Sequence, residues 1–177
     1  MAAEPTSGES NQKPDSAFRL ELVAIQKPED TNFILGQSHF IKTVEDLYEA
    51  IVGVGTSIRF GLAFCEASGA RLVRSAGNAP HLVKLAEENA IRIGAGHSFI
   101  VFLENAFPIN VIPAIRQVPE VVGLFCASAN PVQVVIAVSE QGRGILGVID
   151  GQPPVGVEGD MEKQERHSLL RRFGYKL

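Results

Sequence analysis

The residues best suited to chemistry lie in and around one stretch, Gly94 to Asn110, which reads GAGHSFIVFLENAFPIN. A glycine-loosened turn delivers His97 to the head of an apolar run, Phe99 to Leu103. Neutral imidazole is a competent nucleophile near pH 7, because its unperturbed pKa is ~6.5 and one ring nitrogen can react while the other is held by an acceptor. Gly94 and Gly96 let backbone approach a ligand where a Cβ would block it. The competing reading of His97 is a hydrogen-bonded core histidine. A second group, His39 and Lys42, sits in GQSHFIK, just ahead of Thr43. The loop DGQPPVGVE adds two carboxylates, Asp150 and Glu158, and is long enough either to be functional or to be a plain connector.

These residues need elements to hold them. The alternation in FRLELVAI predicts a half-buried strand from Phe18, and a second short strand covers Phe33 to Leu35. Thr43 reads as the N-cap of a helix to about Val52, with acidic residues in its first turn. Ser57 to Glu66 is a near-continuous apolar run, as expected of a strand covered on both faces. Arg71 to Val73 and Arg74 form a short strand, and Gly77 to Pro80 leads into a helix to about Ile93 that buries Leu82, Leu85, Ala86 and Ala90. Asn110 reads as the N-cap of a helix to about Val118, with Pro113 in its first turn and Pro119 ending it. Val121 to Ala127 is a further buried strand. Val132 to Val138 and Ile145 to Ile149 form a hairpin, which makes the pairing mixed. A polar helix from about Asp160 to Arg172 closes the chain.

Composition narrows the function classes. At 177 residues with 45% hydrophobic content and 17 glycines, the chain fits one mixed α/β domain over residues 18–177. Residues 1–17 lack apolar periodicity and read as a disordered tail. A net charge of −4 supplies no basic field for phosphate backbones, so nucleic acid is not an expected partner. No segment reaches the ~18 to 20 apolar residues of a membrane span, and no signal peptide is visible, so a cytoplasmic location is expected. Cys65 and Cys126 lie in apolar runs without disulfide or zinc spacing, and read as reduced small hydrophobes.

Several stretches in one order carry a resemblance: GQSHFIKTVEDLYEA, FGLAFCEASGARLVR, GAGHSFIVFL, FPINVI, VPEVVGLFCASANPV, GRGILGVIDGQPPVGVE and RRFGYKL. On them the chain resembles the adenosine-specific kinase domain family from about Phe18 to Leu177. The resemblance implies a three-layer α/β/α sandwich with a mixed sheet, a homotrimer, binding of adenosine, AMP or ATP, and a histidine that carries a phosphoryl group. That histidine is carried over as His97, with His39 as the rival. Pro113 departs from the family pattern, where an asparagine is expected.

Developing phosphoryl charge needs donors, and the amides of Gly94 to Ser98 with Lys42 or Arg143 are the candidates. Mg²⁺ accompanying the nucleotide is the expected cofactor, with Asp150, Glu158 and Glu66 as nominees, and no organic cofactor is expected. The absence of a G-x-x-x-x-G-K-[ST] sequence excludes a P-loop kinase. Asn110 and Asn130 could read adenine, or could serve as a helix cap and an Asn-Pro turn; Asp150 could accept from the ribose. The principal expectation is an adenosine-specific phosphotransferase. The alternatives are an adenosine or AMP sensor without turnover, and a metal-dependent hydrolase built on His39, His97 and Asp150.

Overall fold

The computed structural model describes residues 18–177, so the tail expected over residues 1–17 lies outside the described residues. The alternating and apolar runs become eight strands: β1 (Arg19–Ala24), β2 (Asn32–Ser38), β3 (Arg59–Cys65), β4 (Val73–Gly77), β5 (Ser98–Glu104), β6 (Val121–Ser128), β7 (Val132–Val138) and β8 (Arg143–Asp150). Four helices accompany them: α1 (Thr43–Val54), α2 (Pro80–Ile93), α3 (Pro108–Ile115) and α4 (Asp160–Arg172).

One sheet has the order β4-β3-β5-β2-β6 and the other β1-β7-β8. Neighbouring strands pair antiparallel in both. Among the described residues no two neighbouring strands run parallel, so the mixed pairing expected from sequence is replaced by antiparallel pairing throughout. Helices α1, α2 and α3 each connect strands that run the same way, β2 to β3, β4 to β5 and β5 to β6. In every case one antiparallel strand is inserted between the connected pair. Helical crossovers demand parallel ends, and the inserted strand takes the hydrogen bonds that a parallel neighbour would have made.

The α/β class and the three layers expected from sequence stand. On one face of the five-stranded sheet, Val44, Leu47 and Ile51 of α1 and Val111 and Ile115 of α3 pack on Ile34, Leu62, Phe64 and Phe99. On the other face, Leu82, Ala86 and Ala90 of α2 share a core with Phe33, Leu35 and Phe102 and with Val132, Val134 and Ile136 of β7. At Gly61 of β3 an added Cβ would lie 2.1 Å from the backbone of α2 at Leu82, so glycine is what allows that close helix-on-sheet approach.

Three local expectations change. Strand β6, expected to be buried, is an edge strand with Val122 71% exposed, because only β2 pairs with it. Val23 of β1 and Ile25 just after it pack on the core, whereas Leu20 and Leu22 stand 61% and 58% exposed. Glu21, on the inward side, is met by Arg143 at 2.9 Å, so an ion pair occupies the position that the alternation assigned to solvent. At α1, Thr43 is the first helical residue, and its hydroxyl donates to the Phe40 carbonyl at 2.7 Å rather than capping a helix N–H.

Candidate functional site

One end of the five-stranded sheet gathers His97, the His39–Lys42 turn and the start of β6. His97 precedes β5 and adopts the left-handed region, φ 63°, which is rare for a residue with a Cβ. The strand ends on either side hold it there: its N–H donates to the Cys65 carbonyl at 2.8 Å, and its carbonyl accepts from the Ser38 N–H at 2.9 Å. A non-glycine residue in this region costs on the order of 1–3 kcal/mol and persists only where its surroundings over-determine it. The half-buried imidazole lies nearly parallel to Phe64, 16° between planes at 5.9 Å between centroids. His39 meets it edge-on, at 90° and 5.6 Å. Phe64 belongs to the core beneath α1 and α3, which places the imidazole on that face of the sheet.

Phe40, φ 79°, in the middle of the His39–Lys42 turn, and Arg71, φ 52°, in the loop after β3, are further strained positions of this end. The turn is tied to β6, where the His39 N–H donates to the Glu120 carbonyl at 2.7 Å. Lys42 bonds the Asp46 carboxylate and, at 2.6 Å, Oε1 of Glu120. Hydrogen bonds that its ammonium donates to Asp46 and then to Glu120 raise the Lys42 pKa above the ordinary lysine value. Two polar atoms of this end are buried and without a hydrogen-bond partner: Oγ of Ser38, a residue 1% exposed, and Oε2 of Glu120, whose side chain is 10% exposed. Ser38, Phe64 and Glu120 escaped the sequence reading. The only local sign of Glu120 was a carboxylate following Pro119 at the start of an apolar strand.

On the opposite face of the same end lies a cleft of about 710 Å³, bordered by Cys65, Glu66, Arg71, Gly94, Gly96 and Arg143. Several candidates meet here, and most are already engaged. Arg143 donates to the Ile93 carbonyl and to Glu21, both at 2.9 Å. Glu66 accepts from the Leu72 N–H at 2.9 Å and from Arg74 at 2.8 Å, and these bonds hold its pKa below the usual carboxylate value. Gly94, φ 61°, ends α2 in the left-handed cap, and its N–H bonds the Ala90 carbonyl. At Gly96 an added Cβ would stand 2.8 Å from the Cβ of Ala67. Both glycines therefore have a fold requirement of their own. Burial raises the Cys65 thiol above its ordinary pKa, leaving an inert hydrophobe at the cleft wall.

Asn110, Asn130 and Asp150 lie at the other end of the sheet, a strand length of about 20 Å away. Asn110 is the third residue of α3, and its Oδ1 accepts from the Phe107 N–H at 2.8 Å, securing the helix start from inside rather than as the expected N-cap. Pro113 consequently falls beyond the first turn of α3, in the wall of an apolar hollow of about 380 Å³ with Phe107, Ile109, Ile112 and Ala127. Asp150 accepts from the Ser128 hydroxyl at 2.8 Å and from Asn130 Nδ2 at 3.0 Å. Glu158 pairs with Arg166 of α4 at 2.8 Å, and its pKa is lowered by that bond. The three carboxylates nominated for Mg²⁺ thus do not converge. Among the described residues no three His, Cys, Asp or Glu side chains form a metal-holding group.

Compared with known proteins, residues 23–176 match the family model described as adenosine specific kinase. The chain belongs to that family. As a member of the adenosine specific kinase family it also resembles a solved structure, the PH1918 protein of Pyrococcus horikoshii OT3, with 42% sequence identity and a TM-score of 0.87. That likeness covers 91% of this chain and 99% of the other. No curated protein matches significantly. Among the described residues of this adenosine specific kinase family member, no helix is long and apolar enough to cross a membrane.

Proposed function

We propose that this chain transfers a phosphoryl group to adenosine through a phosphohistidine at His97. The observation that carries the reading is the strained His97 backbone, fixed from both sides, with its ring wedged between Phe64 and His39. Such fixation lowers the cost of presenting a nucleophile in one orientation. In the first step a ring nitrogen attacks the terminal phosphorus of a nucleoside triphosphate; the bond to the bridging oxygen breaks and the diphosphate leaves with the electron pair. In the second, a hydroxyl oxygen of adenosine attacks that phosphorus, the P–N bond breaks with its electrons returning to the ring, and the hydroxyl proton passes to His39 or solvent. Lys42, with two of its three protons taken by carboxylates, has one left for a phosphoryl oxygen. Mg²⁺ entering with the nucleotide would be held by phosphates and water, since the nominated carboxylates are apart.

A homotrimer belongs to the same reading. It is supported by the apolar outer face of the smaller sheet, Leu20, Leu22, Leu146 and Ile149, and by α4, which buries none of its residues. Light scattering on the purified chain tests that assembly.

The deciding experiment is intact-mass spectrometry at neutral pH, on wild type and His97→Asn after incubation with ATP, with adenosine added to half of each sample. The expected result is one phosphate on wild type alone, discharged by adenosine as AMP forms. An adduct that survives in His97→Asn moves the chemistry elsewhere. Adenosine binding without any adduct or AMP leaves the sensor function in its place.

A further inference from the structure

Two unpartnered polar atoms at one sheet end stand out against the rest of the described side chains. Oε2 of Glu120 and Oγ of Ser38 are buried and make no hydrogen bond. Burying a polar group without a partner is among the more expensive local arrangements a fold can hold, and such exceptions point to a missing occupant. At Glu120 the cost is sharpened by charge. Lys42 satisfies Oε1 at 2.6 Å, and this fixed ion pair orients the carboxylate while leaving the second oxygen free.

We propose that Glu120 is the residue that selects the sugar of the nucleoside, its Oε2 accepting a hydrogen bond from a ribose hydroxyl. This rests on the adenosine reading above and adds a residue to it. The placement suits the size of the ligand. Strand β2 lies between β5 and β6, and its end, Ser38 and His39, bonds His97 on one side and Glu120 on the other. The backbones of His97 and Glu120 are therefore about two strand spacings apart, ~10 Å, which matches a phosphoryl group plus a sugar. An ionised carboxylate offers only acceptors, so its natural partner is a donor, and the ribose hydroxyls are the donors nearest the 5′ end of a nucleoside. Ser38 Oγ, buried beneath the same turn, supplies a hydroxyl for a phosphoryl or sugar oxygen. Asp150, nominated for the ribose from sequence, is at the opposite end of the sheet with its Oδ1 occupied by Ser128 and Asn130.

A carboxylate that is dry and pre-paired should discriminate strongly against a sugar lacking the hydroxyl, because binding such an analogue leaves Oε2 buried and unpaired. The test is calorimetric titration of the full chain with adenosine, 2′-deoxyadenosine and 3′-deoxyadenosine, on wild type, Glu120→Gln and Glu120→Ala, with circular dichroism to verify folding. Wild type is expected to bind adenosine roughly 10- to 100-fold tighter than one of the deoxynucleosides, the range of a hydrogen bond to a charged group. The identity of that analogue tells which hydroxyl is held. In Glu120→Ala the ratio collapses to within about twofold while the deoxynucleoside affinity changes little, and in Glu120→Gln it shrinks partially. Equal binding of all three nucleosides by wild type, or an unchanged ratio in folded Glu120→Ala, overturns the assignment and leaves the adenosine reading intact. Failure of wild type to bind any of them overturns the adenosine reading itself.

Discussion

The two ends of the five-stranded sheet hold similar polar inventories in opposite states. At the end near Asp150, polar groups answer one another: Ser128 bonds Asp150 and receives the Asn130 N–H, and Asn110 bonds the chain at the start of its own helix. Elsewhere in the fold Asn89 behaves the same way; it is 1% exposed and bonds both backbone groups of Gln26. At the end near His97, three non-glycine residues, Phe40, Arg71 and His97, are held in the left-handed region against one, Asn105, at the other end, and two buried oxygens lack partners. A satisfied network needs nothing from outside and contributes rigidity. A strained and unsatisfied one keeps hydrogen-bonding capacity that the fold itself does not use. Residue type alone does not separate these cases, since serine and carboxylate sit at both.

Breaking the contrast at the His97 end should produce the largest effect. His97→Asn is expected to lower turnover on the order of 10³-fold or more, as removal of a nucleophile does, whereas His39→Asn lowers it about tenfold; steady-state AMP formation measures both. Equal losses would make the two imidazoles a joint unit. Next comes Gly36→Ala, where the new Cβ would stand 2.4 Å from the Phe99 ring. Phe99 is the register partner of Phe64, so the strain should reach the stack beneath His97. Overpacking of this kind costs about 1–3 kcal/mol, read by urea denaturation, and a fall in the phosphorylation rate should accompany it.

At the satisfied end, Ser128→Ala removes two hydrogen bonds and should cost about 1–2 kcal/mol of stability while leaving the adenosine affinity at the wild-type value. A weakened affinity would extend the functional site to that end. The smallest effect is expected from pH. Glu66 has its pKa held below 4.5 by the Leu72 N–H and Arg74, so its bonds stabilise the fold above that value and are lost as pH falls below it. Urea midpoints taken at pH 7 and pH 3 should therefore fall less in Glu66→Gln than in wild type.

Much of this architecture was legible as pattern. The apolar run over Ser57 to Glu66, the α2 face of Leu82, Ala86 and Ala90, the hairpin of β7 and β8 and the polar helix from Asp160 are local properties, because side-chain period and turn chemistry act over a few residues. The imidazole beside the Gly94–Gly96 turn was also visible, since chemistry-bearing residue types announce themselves.

Strand order was not. Whether β5 inserts between β2 and β3 depends on pairing between segments far apart in the chain, and that choice decides which loops share a sheet end. It brought Glu120 to Lys42 and His39 to His97, and it carried Asn130 and Asp150 away from them. The β1 alternation failed for a related reason: an ion pair from Arg143 took the inward Glu21, and the apolar Leu20 and Leu22 were left facing out. Sequence determined the elements and the candidate nucleophile, because both are local. Tertiary structure alone decided which polar atoms find partners, because satisfaction of a buried group is a property of its neighbours in space.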